Sequence, residues 1–249
     1  MSFIIGVALS AVLIVITVMR GANPALLLDY KALLFVVGGT VGSILITFPF
    51  SDLRKEMATI AKLLAPQQHP QKLITRISEL AQLARKEGVL SLDGKSKSVD
   101  DAILSKGLNL ISVSADHEII RNILEKESDF IGRQEKSAQD FFERLSVLTP
   151  GIGMVGTLLE IVQMLYRYTD PKKLAPEIAA SLLPVVYGAL LSYLILMPLA
   201  SRLKVGANRR KMLRELAIEG VLALQAGEPP YIVEERLGVY TRAADRKKL

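Results

Sequence analysis

The chain has 249 residues, half of them apolar, yet 22% are charged, a mixture that segregates into apolar spans and charged domains rather than one soluble core. Its 31 Lys and Arg against 25 Asp and Glu leave a net charge of +6. There is no Cys and there are only two His, at His69 and His117, which excludes a disulfide framework and thiolate metal sites and leaves no cofactor expected.

In chain order, residues 3–19 form the first charge-free run. No Lys or Arg precedes it and a second apolar run follows after a short interval, so it is predicted as a membrane span rather than a signal peptide. Residues 32–51 form the second run. Each is long enough, or nearly so, for a bilayer core that needs about 20 residues. After Pro49, the spacing of Phe50, Leu53, Met57, Ile60 and Leu64 predicts an amphipathic helix leaving the membrane. Pro66 and Pro70 bracket a linker, and a second amphipathic helix is expected to run to about Glu87, where Gly88 stops it. A loop is expected over Ser91–Ser98, followed by helical periodicity from Val99 to Val113 and again from Ala115 onward.

Residues 130–148 run without a breaker toward a third apolar run, 145–166, whose one ionisable residue is Glu160. A helix is therefore expected to enter the bilayer from the charged insert, interrupted only at Pro150. The fourth run is 178–201. Beyond Arg202 a separate amphipathic helix to about Ala226, a Gly227–Pro229–Pro230 turn and a short helix near Ile232–Leu237 are expected. No strand alternation appears. The fold class is all-α: an integral membrane protein with four transmembrane helices and a helical cytoplasmic domain, divided into 1–50 (two spans), 51–144 (cytoplasmic insert), 145–201 (two spans) and 202–249 (cytoplasmic tail).

Orientation follows from basic residues near span ends, which stay in the cytoplasm. Twelve flank the second span's exit, the third span's entry and the fourth span's exit, from Arg54 and Lys55 through Arg144 to Arg214, against five on the opposite loops, Arg20, Lys31, Arg167, Lys172 and Lys173. Both termini are assigned to the cytoplasm. The basic excess does not point to nucleic acid, because residues 51–149 hold 15 basic against 15 acidic side chains. It lies mainly just after the fourth span, where anionic lipid headgroups are the expected contact.

Gly151-Ile152-Gly153-Met154-Val155-Gly156 matches the dinucleotide fingerprint letter for letter, but that motif needs a buried strand before it and an acidic residue about 20 positions on. Small residues inside a span instead permit close helix packing, and Gly38, Gly42 and Ser43 make the same case in the second span. No phosphate loop, nucleophile elbow or paired-His motif supports an enzyme. Pro150, Pro184 and Pro198 lie within or at the ends of the last two spans, as fixed kinks or as hinges. Glu160 at membrane depth is costly unless neutralised, paired or hydrated. At helical spacing it shares a face with Gly153, Gly156 or Thr157, Gln163 and Arg167, a stripe suited either to a water-filled path or to a contact with another helix.

The order of these features resembles the MotA/PomA family of bacterial flagellar motor stator proteins over nearly the whole chain. The matching stretches are Val36-Val37-Gly38-Gly39-Thr40-Val41-Gly42 with Phe48-Pro49, then Thr149-Pro150-Gly151-Ile152-Gly153-Met154-Val155-Gly156-Thr157-Leu158. Further on come Tyr187-Gly188-Ala189-Leu190-Leu191, Pro198-Leu199-Ala200 and Glu219-Gly220-Val221-Leu222-Ala223-Leu224-Gln225-Ala226-Gly227-Glu228. The resemblance implies a homopentameric ring in the inner membrane around two single-span MotB-like or PomB-like partners, with the ion-binding carboxylate on the partner. It implies that Pro150 and Pro198 couple ion flow to movement, and that Arg85 and Asp93, the latter usually Glu in the family, engage the rotor protein FliG.

Two departures bear on the ion. Where many members have Thr-Thr before the Tyr-Gly motif this chain has Pro184 and Val185, which favours protons over sodium; where Gly commonly follows Thr-Leu-x it has Glu160. Thr157 is expected to face the partner helices, with Glu160 one turn further out on the same lining. The alternatives are an ExbB/TolQ-type energiser, which has three spans and an outward amino terminus, and a non-conducting membrane scaffold.

Overall fold

The computed structural model describes residues 5–6, 8–10, 12–14, 16, 28–65, 68–92 and 94–241, and among these all regular elements are helical. In the first apolar run the described residues are helical, and Ile5, Leu9, Val12, Leu13 and Ile16 expose their side chains. Three further segments are long and apolar enough to cross a membrane: Tyr30–Thr47, part of His117–Tyr166 and part of Pro171–Gln225. Their apolar surfaces are open, with Leu34 73% and Ile46 88% exposed. In water such surface is unfavourable; in lipid it is the solvated face.

The chain divides into two compact units, residues 1–61 with 137–204 and residues 62–136 with 205–249. In the first, helix α1 (Tyr30–Thr47) is capped by Asp29, whose carboxylate accepts the amides of Lys31 at 2.8 Å and Ala32 at 3.3 Å. It buries only the stripe Ala32, Val36 and Thr40, one residue per turn. Phe48 turns extended before Pro49 and ends the helix. Helix α2 (Phe50–Leu64) then leaves as an amphipathic element, as its spacing predicts. The Phe48 ring packs, tilted by 60° and 5.1 Å away between centroids, on Phe141, which with Leu145 and Leu196 forms a small apolar core.

The second unit holds α3 (Pro70–Glu87), α4 (Ala102–Ser112), the start of α5 (His117–Tyr166), the end of α8 (Met197–Gln225) and α9 (Pro230–Gly238). Its core is one cluster, including Ile74 and Ile77 of α3, Leu104 and Leu108 of α4, Ile120 and Leu124 of α5, Leu216 and Val221 of α8 and Leu237 of α9. Two glycines allow the helices to close up: a Cβ on Gly107 would overlap Val221, and one on Gly220 would lie 2.5 Å from Ile77 Cδ1. Asp101 caps α4 by accepting the Leu104 amide at 2.9 Å.

Three local expectations are corrected. The segment expected as a loop, Ser91–Ser98, holds 3₁₀ turns, Val89–Leu92 and Lys95–Ser98, around Gly94 at φ 76°; short turns satisfy backbone groups while burying Leu92. The tail helix is not separate from the fourth span. Helix α8 runs unbroken from Met197 to Gln225 because nothing between Pro198 and Gly227 stops it, although its surroundings change from apolar to charged. It ends at Gly227, φ 67°, where the Glu228 and Gly227 amides return to the carbonyls of Ala223 and Leu224. Finally, Arg214 is not a headgroup contact: it is buried against Glu135.

Candidate functional site

Pro150 lies inside α5, which continues helical for a further sixteen residues to Tyr166. Its ring nitrogen has no proton, so the carbonyl four residues earlier, Ser146, loses its helical donor. That carbonyl accepts instead the hydroxyl of Ser192, at 2.5 Å and fully buried. Beside it, Thr149 donates to the Leu145 carbonyl at 2.7 Å, and Thr40 of α1 approaches Thr149 at 3.4 Å between hydroxyl oxygens.

The fourth apolar run is assembled from pieces. After a 3₁₀ turn capped by Asp170, it comprises α6 (Leu174–Ser181), α7 (Leu183–Leu190), a π-helical turn Leu191–Leu196 and the start of α8. The break between α6 and α7 precedes Pro184, and the π turn immediately precedes Met197 and Pro198. Each interruption thus sits where a missing proline N–H disturbs the i→i−4 ladder. At the first break the Val185 amide donates to the Thr157 hydroxyl of α5 at 3.1 Å.

Thr157 is 7% exposed, and its hydroxyl is engaged within its own chain. The reason is backbone proximity. A Cβ on Gly153 would lie 2.5 Å from the Pro184 carbonyl oxygen, one on Gly156 would meet Phe35 at 2.8 Å and Pro184 at 2.9 Å, and one on Gly188 would lie 2.9 Å from the Thr149 carbonyl oxygen. The glycine run of the third span is a packing surface, as its place in an apolar helix suggests. In α1, however, the close contact belongs to Gly39, against Ile152, while nothing stands within 4 Å of Gly38 or Gly42.

The predicted polar stripe is accordingly split. Gly153, Gly156 and Thr157 are buried between helices, Glu160 is half-buried, and Gln163 and Arg167 are exposed. The Asp29 amide donates to the Tyr187 hydroxyl at 2.9 Å, which ties the start of α1 to the Tyr-Gly motif of α7. Sequence reasoning did not single out Ser192. The available signals were a single serine within Leu190–Leu196 and the certainty that Pro150 frees one carbonyl.

In the second unit, Arg85 is exposed in the last turn of α3, where the helix dipole favours a cation. Gly88 ends that helix at φ 86°. Asp93 lies outside the described residues. Among the described residues there is no cluster of three or more His, Cys, Asp or Glu suited to a metal ion.

Comparison with known proteins adds to this geometry. The family described as the MotA/TolQ/ExbB proton channel family matches residues 95–216. Motility protein A of Cereibacter sphaeroides is 30% identical over 245 residues, covering 98% of this chain and 95% of that protein. The uncharacterized protein YtxD of Bacillus subtilis is also 30% identical, over 98% of this chain and 91% of its own. Among solved structures, a chain of the flagellar MotAB stator complex from Bacillus subtilis superposes with a TM-score of 0.91 at 28% identity, with 98% and 97% of the two chains covered.

Proposed function

The chain belongs to the MotA/PomA family of flagellar motor stator proteins, and from that premise we propose that it works with a MotB-like single-span partner to convert proton flux across the inner membrane into torque on the rotor. The observation that carries this reading is the nearly full-length likeness to a subunit of a MotAB stator complex, which extends through the cytoplasmic insert as well as the spans. It favours a motor subunit over an ExbB/TolQ-type energiser, because the full-length relatives are motility proteins.

In this reading a ring of five copies surrounds two partner helices, both termini are cytoplasmic, and the transferable proton sits on a partner carboxylate. Pro150 and Pro198 are where the third and fourth spans change shape during the cycle. Thr157 fixes the break at Pro184 by accepting the Val185 amide. Glu160 is the carboxyl of this chain on the ion route, and Arg85 with Asp93 is the charged pair that engages FliG.

The preference for protons is supported by Pro184 and Val185, which offer no hydroxyl oxygen to a sodium ion, and by the prior engagement of the Thr157 hydroxyl. Swimming speed in cells carrying only this stator tests the proposal. Speed is expected to be independent of sodium and to collapse with a protonophore. Sodium-dependent swimming overturns the ion assignment, and absence of rotation with the partner co-expressed overturns the motor assignment.

A further inference from the structure

Among the described residues, several hydroxyls in the apolar segments bond their own helix. Thr40, Ser43, Thr47, Thr149 and Ser181 each donate to the carbonyl four residues before them. This is the default for Ser and Thr in a helix. Ser192 does otherwise: it is 0% exposed and donates across to Ser146 of another helix. Its acceptor is the one carbonyl that Pro150 deprives of a helical donor, at a depth where an unpaired backbone group is costly.

The position of Ser192 in its own helix is equally specific. It lies in the π turn Leu191–Leu196, and its carbonyl accepts the Met197 amide, five residues on, at the threshold of Pro198. The side chain of Ser192 thus closes the gap left by one proline, while its backbone belongs to the register change that precedes the other.

We propose that Ser192 is a latch joining the two prolines: its hydroxyl holds the turn of α5 before Pro150 in one state, and its release allows α5 to change shape. It is a positioning residue, since it touches neither ion nor partner in this account, and its role in torque rests on the function proposed above. The alternative, a polar side chain that merely fills space, predicts no dependence on Pro150.

The test uses the full-length chain in lipid, with amide hydrogen exchange over residues 147–154. Loss of one net hydrogen bond is expected to speed exchange there about fivefold in Ser192→Ala. Ser192→Thr restores the slow rate. In a Pro150→Ala background, where the Ala amide itself bonds the Ser146 carbonyl, Ser192→Ala is expected to change nothing further. Exchange unaltered by Ser192→Ala, or altered equally in both backgrounds, overturns the latch.

If Ser192→Ala is not recovered in folded form, the double variant decides. Its recovery supports the Ser146 carbonyl as the partner, and its failure makes Ser192 a packing residue. Motor rotation is measured in parallel, with reduced torque expected for Ser192→Ala and recovery for Ser192→Thr. An exchange response with a wild-type chain that drives no rotation refutes the stator function and leaves the latch standing. An exchange response with wild-type torque in Ser192→Ala overturns the coupling role.

Discussion

Arg214 of α8 and Glu135 of α5 meet inside the second unit through two parallel hydrogen bonds of 3.0 and 2.9 Å, with the Ser128 hydroxyl accepting from Arg214 Nε at 3.2 Å. Both side chains are under a tenth exposed. A bidentate pair with the Nε donor also bonded offsets much of the desolvation of both ions. Removing one partner leaves an uncompensated charge, so Glu135→Leu alone should destabilise the assembly by about 3–5 kcal/mol, whereas Glu135→Leu with Arg214→Met should be close to neutral. Thermal unfolding of the purified protein measures this. A single variant as stable as wild type means that water already reaches the pair.

Much of the helical plan was legible because each element carries its own signal. Gly88 marks the end of α3 and the Gly227 turn marks the end of α8, since both positions need a positive φ. The unbroken course of α8 was not legible, because composition changes sharply at Arg202 while the backbone has no reason to stop there. Within the site, the sequence pointed to Pro150, Pro198 and the glycine run. It did not identify Ser192 or Gly39, which are defined by contacts with residues distant in sequence. The charge pattern also placed Arg214 at the lipid surface, because a partner 79 residues away leaves no local trace.

Gly153 and Gly151 separate packing from mere smallness. A methyl group on Gly153 meets a backbone carbonyl at 2.5 Å, which cannot swing aside as a flexible side chain can; nothing stands within 4 Å of Gly151. Gly153→Ala should force the α5 and α7 backbones apart at a cost of about 1–3 kcal/mol or more, reducing the amount of folded protein in the membrane. Gly151→Ala should leave that amount unchanged. Equal levels of the two variants would show that the α5–α7 contact tolerates a larger separation.

Reversing Arg85 to Glu tests the rotor-facing assignment. The side chain is exposed, and a surface charge of this kind contributes under about 1 kcal/mol to stability. Assembly and membrane level should therefore stay the same while swimming falls, with partial recovery when the rotor carries the opposite reversal. Undiminished swimming on a weakened rotor argues that Arg85 is only a solvated cation.

Tyr240 provides a pH signature in the second unit. Burial raises its phenol above the usual range near pH 10, and the carboxylates of Glu219 and Glu215 push the same way, against the smaller opposite effect of Arg236. A raised folded-state value means that the native protein holds the proton longer than the unfolded chain does. The stabilisation is complete below the unfolded pKa and is lost as pH rises through the folded one. Phenolate absorbance should therefore show one tyrosine titrating late, and Tyr240→Phe should remove it. An unchanged titration curve in that variant assigns the late group elsewhere.

Glu160 decides whether this chain contributes a titratable group to the ion route. It stands three residues beyond Thr157 on α5, about 4.5 Å further along the axis at 1.5 Å per residue, and is half-buried where neighbouring Val162 and Leu159 are open. So short a side chain does not reach the membrane surface easily, and a carboxyl kept at that depth is either paired, hydrated or neutral. Replacement by Gln preserves volume and hydrogen bonding but removes the exchangeable acid. If protons pass through this carboxyl, Glu160→Gln should lower ion flux by about tenfold or more, equivalent to a barrier raised by ~1.4 kcal/mol, and should flatten the dependence of flux on pH. Assembly should be intact, because no close packing contact is lost with an isosteric amide. Unchanged flux with an unchanged pH profile assigns Glu160 to packing and leaves the partner's carboxylate as the titrating group of the pathway.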